Sequence, residues 1–301
     1  AFRGPLSDFL RVPLPFPVYV TAGQADAGVT NTWRTQASLL DSILSVSPDA
    51  ATPEMFRQLG NVHRRLGNGA AALTTYQKGV ERFPEDPFLH RELAATYFYF
   101  SDPPRYEDSL RENRLAARLY RKAHGEPFWE ARFNMAMAHN RMGEPIKAQI
   151  VYSEILDKLL DFPDPLWESR TRRYLSNVFL QQGRTNDAII QLQLDLDVEA
   201  QDPGYTYRSL LDLYDATARR SEFADLVRTY FSARGAQDAR AITRYTRYIW
   251  EHGTPEDAAR ATIRTRKLLE NSEALLTQLK QDTAWWNLWL EKLNSIPDTA
   301  E

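Results

Sequence analysis

The chain has 301 residues, 43% apolar and 26% charged, enough for one extended or two compact domains. Its 37 Lys and Arg against 40 Asp and Glu leave a formal charge of -3, which excludes a whole-surface basic field for nucleic acid or an anionic membrane. The absence of Cys excludes disulfides, thiolate nucleophiles, Cys-ligated zinc and iron–sulfur clusters, and the 5 scattered His supply no metal set in their place.

Residues 1–30 read as an extended Pro-rich segment, because Pro5, Pro13, Pro15 and Pro17 interleave with Phe9, Leu10, Phe16, Val18 and Tyr19. Such a segment lies as a strap along the rest of the molecule, or fills a groove in its own or a neighbouring copy. The prolines also break the longest apolar run, so no stretch reaches the roughly 20 residues of a membrane span. Ala1 in place of Met reads as a removed leader or a trimmed chain, and with the lack of Cys slightly favours a periplasmic or other extracytoplasmic compartment over a cytoplasmic one. Next, Trp33, Ala37, Leu40 and Leu44 predict an amphipathic helix that ends before Pro48.

A repeat follows. From Gly67, Gly143, Gly183 and Gly253 taken as origins, an alanine stands five residues later each time: Ala72, Ala148, Ala188 and Ala258. Eight residues earlier come Leu59, Met135, Leu175 and Tyr245, and seven earlier the small Gly60, Ala136, Ser176 and Thr246. Four earlier stand His63, His139, Phe179 and Ile249, and nine later Tyr76, Tyr152, Leu192 and Thr262. The glycine spacings reduce to a period of about 34 residues with short insertions. A divergent copy near residues 205–237 puts Arg219 at the turn glycine's place.

This pattern resembles the tetratricopeptide repeat (TPR), most fully in residues 53–86, where Phe56, Leu59, Gly60, His63, Ala72, Tyr76, Gly79 and Pro84 occupy the family's positions. The resemblance implies an all-α, right-handed superhelical solenoid over residues 31–301. Six helix pairs are expected at about 53–86, 87–126, 127–164, 165–202, 203–235 and 236–270, since each pair exposes an apolar face that only a neighbour can bury. Leu275, Leu279, Trp286, Trp289, Leu290 and Leu293 then predict one long capping helix over 272–296.

No Gly-rich phosphate loop, His-Glu-x-x-His, Gly-x-Ser-x-Gly or His pair at i and i+4 is present, so neither catalysis nor a metal or cofactor is expected. His63 and His139 read as packing residues, His90, His124 and His252 as surface or turn residues, and Asp195 and Asp197 as solvated helix ends.

The resemblance implies a scaffold that binds peptide segments on the first helix of each pair, lining a concave groove. The lining positions include Arg57, Asn61 and Arg64, then Arg91 and Phe98, then Glu130, Phe133, Asn134, Met137 and Asn140. Arg170, Arg173, Tyr174 and Asn177 follow, and later Arg240, Arg244, Arg247 and Trp250. Arg57 with Asn61 and Arg173 with Asn177 are similar to the basic residue and asparagine, four apart, of the family's carboxylate clamp, although Leu210 stands where that clamp has Asn. The expected partner is a protein segment, acidic in character, with no nucleic acid involved. An alternative is a receptor for a small organic anion, enclosed near Arg173, Tyr174, Arg244 and Trp250. A third reading, a structural spacer, expects the inner arginines to be neutralised internally. Trp285, Trp286 and Trp289 form the densest aromatic cluster; they read either as a broad cap or, since Trp285 and Trp286 point about 100° apart, as an interface for self-association.

Overall fold

A computed structural model describes residues 27–198, 203–235 and 237–296. Residues 1–26, which carry nearly all of the expected Pro-rich segment, lie outside the described residues. Those described form fifteen α-helices and one 3₁₀ turn at Pro48–Ala50, with no strand, in two units that divide at residues 200 and 201. None of these helices is long and apolar enough to cross a membrane.

In the first unit, α1 (Ala27–Val46) is followed by the pairs α2 (Pro53–Arg65) with α3 (Gly69–Arg82), α4 (Pro87–Tyr99) with α5 (Tyr106–His124), α6 (Trp129–Arg141) with α7 (Pro145–Leu159), and α8 (Pro165–Gln181) with α9 (Thr185–Leu196). The second unit holds α10 (Gly204–Ala216) with α11 (Arg220–Arg234), α12 (Ala239–His252) with α13 (Pro255–Glu270), and then α14 (Glu273–Gln281) and α15 (Thr283–Asn294). Local chemistry sets many of the starts. The side chains of Thr52, Asn68, Asp86, Asp164 and Ser272 accept from backbone N–H groups of the turns they precede, and Pro stands first in α2, α4, α7, α8 and α13.

The repeat positions are where helices meet. Ala72, Ala136, Ala148 and Ala188 are fully buried, as are Tyr76 and Thr246, and at Gly60 a Cβ would stand 2.3 Å from the Tyr76 ring. In the first unit Trp33, Ala37 and Leu40 of α1 pack on Leu59 and Val62, and Phe133, Tyr152, Leu175 and Phe179 anchor the largest core cluster.

The turns correct two expectations. Gly67, Gly143 and Gly183 all have φ near +75°, but Gly253 is extended (φ -86°), and Ala258 is only half-buried while Ala261 and Thr262 take the close contact. In the divergent pair the left-handed residue is Ala218 (φ 54°), not Arg219. The backbone N–H of Arg219 donates to Tyr214 O as that of Asn68 does to His63 O and that of Arg184 to Phe179 O, so Ala218 fills the glycine slot. An alanine there carries left-handed strain, and Ala218→Gly is expected to stabilise the second unit by about 1 kcal/mol, read as a raised denaturation midpoint.

The single capping helix is also corrected: Asp282 breaks it, with its side chain accepting from Trp285 N. On an unbroken helix Trp285 would stand about 120° round from Leu279, at roughly 100° per residue. The break lets Leu275, Leu279, Trp285 and Trp289 all enter one core.

His90 and Asp195 are corrected as well, since they are 5% and 2% exposed rather than on the surface. The His90 ring lies 2.8 Å from Glu112 Oε2 through Nδ1 and 2.9 Å from Pro84 O through Nε2. Two acceptors require both nitrogens to carry protons, hence an imidazolium. Burial opposes that charge, but the Glu112 and Pro84 bonds outweigh it and raise the pKa above the ordinary 6.5; burial likewise opposes the Glu112 carboxylate, yet His90 and Arg111 hold its pKa below 4.5. A raised histidine stabilises the fold below its unfolded value and loses that contribution as pH climbs through the folded one. The lowered glutamate contributes above about 4.5 and loses its share as pH falls through its folded value. Wild type should therefore exceed His90→Gln in melting temperature most clearly at about pH 5.5–6.5, with the gap closing above neutrality and again in acid.

Candidate functional site

The first helices of consecutive pairs, α2, α4, α6 and α8, contact one another in order along the first unit. Charge along these helices is organised as a chain. Arg64 is fully buried and pairs with Glu92, which also lies 2.8 Å from Arg91; Arg91 in turn reaches Glu130 at 3.1 Å. Burial pushes the Glu130 carboxyl above its ordinary value, and Arg91 opposes the shift. Asn61 accepts from the Tyr76 hydroxyl at 3.0 Å and from Arg64.

Most of the other arginines are also engaged. Arg57 pairs with Glu54 at 2.6 Å and lies over the Phe88 ring, and Arg173 pairs with the buried Asp195 at 2.7 Å. In the second unit Arg244 pairs with Asp212. Arg170 lies over the Trp167 ring, and Arg240 and Arg247 are exposed; none of these three has an ion pair among the described residues.

The aromatics divide. Phe98 and Phe133 are core, Tyr174 is half-buried and edge-on to Phe133 at 4.7 Å, and Asn177 is half-buried nearby on α8. Trp250 stacks on Trp285 and donates through Nε1 to Thr262 Oγ1 at 3.0 Å. Arg173 and Tyr174 are thus used within the first unit, and Arg244 and Trp250 within the second. The tryptophans read as a cap or an interface pack mostly inward. Trp285 and Trp289 are buried and stacked, and Trp286 lies half-buried on Trp289 at 4.9 Å, so offset indole stacking spans the angle that argued for exposure.

One polar residue on the first-helix face stands apart. Asn134 is 5% exposed, yet neither its Oδ1 nor its Nδ2 has a hydrogen-bond partner among the described residues. Buried carboxamides are nearly always satisfied, which sets this one apart. Its offset from Gly143 is the one sequence signal that includes it among the lining positions.

Residues 53–96 match the sequence profile described as Tetratricopeptide repeat. No curated protein sequence matches the chain. Among solved structures, the fold is similar to a tetratricopeptide repeat protein from Parabacteroides merdae, 14% identical, over 84% of this chain and 93% of that one, with TM-score 0.51. It is also similar to the quorum sensor NprR from B. thuringiensis, 12% identical over 88% and 84%, TM-score 0.53, and to BtubC from P. vanneervenii, 16% identical over 66% and 87%, TM-score 0.53. The profile match makes residues 53–96 a tetratricopeptide repeat, and the described helix pairs share the fold of these repeat structures, with the repeat positions seated at their helix contacts.

Proposed function

We propose that the protein is a non-catalytic interaction scaffold whose first unit takes an extended segment of a protein partner along the face of α2, α4, α6 and α8. The observation that carries this reading is Asn134, a buried carboxamide with both its donor and its acceptor unused among the described residues. A peptide backbone offers one N–H and one C=O per residue and is the natural complement to such a group. Arg91, Arg170, Tyr174 and Asn177 complete the contact surface. Most of the arginines expected to attract acidic residues already have acidic partners, so acid preference in this reading rests on Arg170.

The test is selection of peptides from an unbiased displayed library on the wild-type chain, followed by titration against Asn134→Ala. Loss of a buried peptide hydrogen-bond pair should weaken binding at least tenfold, about 1.4 kcal/mol. Affinity unchanged within twofold for every selected peptide would remove the first-helix face as the site.

A further inference from the structure

On the second-helix side of the same unit, α5, α6 and α7 enclose a cleft of about 500 Å³. Arg114, Arg118 and Arg121 of α5 line one side, with Lys122 beside them; Met135 and Val151 form an apolar floor, and Arg132 paired with Glu154 closes the far side. All four α5 cations are exposed.

The arginines here are unlike most others in the chain. Earlier on α5, Arg111 pairs with Asp108 and Glu112. From Asn113 to His124 the helix has no acidic residue, and Arg114, Arg118 and Arg121 have no ion pair among the described residues. Lys122 has only a long contact of 3.6 Å with Glu85, both exposed. Like charges at i and i+4 destabilise a helix. The helix dipole offsets this for Arg121 and Lys122 in the last turn but not for Arg114 and Arg118 further back. Helix stability therefore does not account for the row.

We propose that this cleft is a docking site for an acidic segment of a protein partner, distinct from the first-helix face and independent of the reading given for it. The charge balance and the spacing carry the assignment. Five cations face one carboxylate on a chain whose net charge is -3. The three arginines run along about 10 Å of helix, at roughly 1.5 Å per residue, instead of converging on a point as a single small anion would need. Alternate residues of an extended segment repeat every 6.5–7 Å or so, close to the roughly 6 Å from Arg114 to Arg118, and each guanidinium can grip a carboxylate with two bonds. The intervening side chains of such a segment would meet Met135 and Val151. A nucleic acid is the poorer fit, because the floor is apolar, no aromatic ring lines it for base stacking, and the charge row is short.

The test is fluorescence anisotropy with a labelled ten-residue peptide alternating glutamate and leucine, against wild type, Arg118→Gln/Arg121→Gln, Arg118→Glu/Arg121→Glu and Asn134→Ala. These arginines are exposed, so both double variants should stay folded, with only small shifts in melting temperature from the altered helix charges. The proposal expects the acidic peptide to bind wild type at least tenfold tighter than its glutamine counterpart, to lose tenfold or more with either double variant, and to be indifferent to Asn134→Ala. It is overturned by equal binding of the glutamine peptide, by unchanged binding to the double variants, or by no binding at 1 mM. Full displacement of the peptide by stoichiometric inorganic phosphate, or tighter binding of a single-stranded oligonucleotide, would overturn it as well.

Discussion

Arg64→Ala should destabilise the first unit by about 3–4 kcal/mol, the range for stripping one partner from a buried ion pair. Its guanidinium is fully buried, pairs with Glu92, and lies over the rings of Tyr76 at 5.2 Å and Phe100 at 5.5 Å. Truncation removes those contacts, opens a void, and leaves the Glu92 carboxylate, 5% exposed, with Arg91 as its remaining cation. The sign of the electrostatic share can be isolated. Arg64→Met should be nearly as damaging as alanine, whereas Arg64→Met with Glu92→Leu should recover much of the loss, because an apolar pair of similar volume needs no desolvation of charge. Hydrogen exchange in α2 to α5 is the suitable probe, since a chain of two units need not melt in one step. Equal protection in Arg64→Ala and wild type would show that the buried pair contributes no net stability.

Trp285→Ala should have a comparable effect confined to the second unit, about 3–5 kcal/mol, as for other buried indoles truncated to a methyl group. Trp285 is fully buried, stacks on Trp250 at 5.8 Å and on Trp289 at 6.2 Å, and donates through Nε1 to Thr246 Oγ1 at 2.9 Å. Trp285→Phe keeps an aromatic in the stack but forfeits the hydrogen bond and part of the volume, so it should fall between wild type and alanine. The readouts are tryptophan fluorescence during urea unfolding and exchange protection in α12 to α15. If Trp285→Ala left those helices as protected as before and altered only self-association, the cluster would be an interface after all.

The stack of helix pairs was legible because its contacts recur at fixed offsets. Gly60 against Tyr76, with Ala72 beside them, is a large–small fit that a single repeat already spells out. Ala218 was not legible, since a left-handed residue other than glycine leaves no mark in the sequence. The break at Asp282 left the mark of a helix cap, an Asp three residues before a Trp, but it was masked by the apolar spacing that runs on across it. Charge was the hardest part. Arg64 meets Glu92 across 28 positions, Arg173 meets Asp195 across 22, and Arg244 meets Asp212 across 32, so no common spacing announces the pairs. The arginines expected on the first helices are visible in the sequence, while the acids that neutralise most of them are fixed by packing and, in several cases, come from neighbouring helices.

The chain of charges from Arg64 through Glu92 and Arg91 to Glu130 links α2, α4 and α6, the first helices of three successive pairs. Repeat arrays ordinarily lose structure from an end, one unit at a time, because each repeat answers only to its nearest neighbours. Here, releasing the α2 pair exposes a buried carboxylate that belongs to the next one, and loosening that pair in turn frees the cation that restrains Glu130. Fraying at the N-terminal side should therefore stall or proceed through all three pairs together, making this block a single cooperative unit of local unfolding within the longer stack.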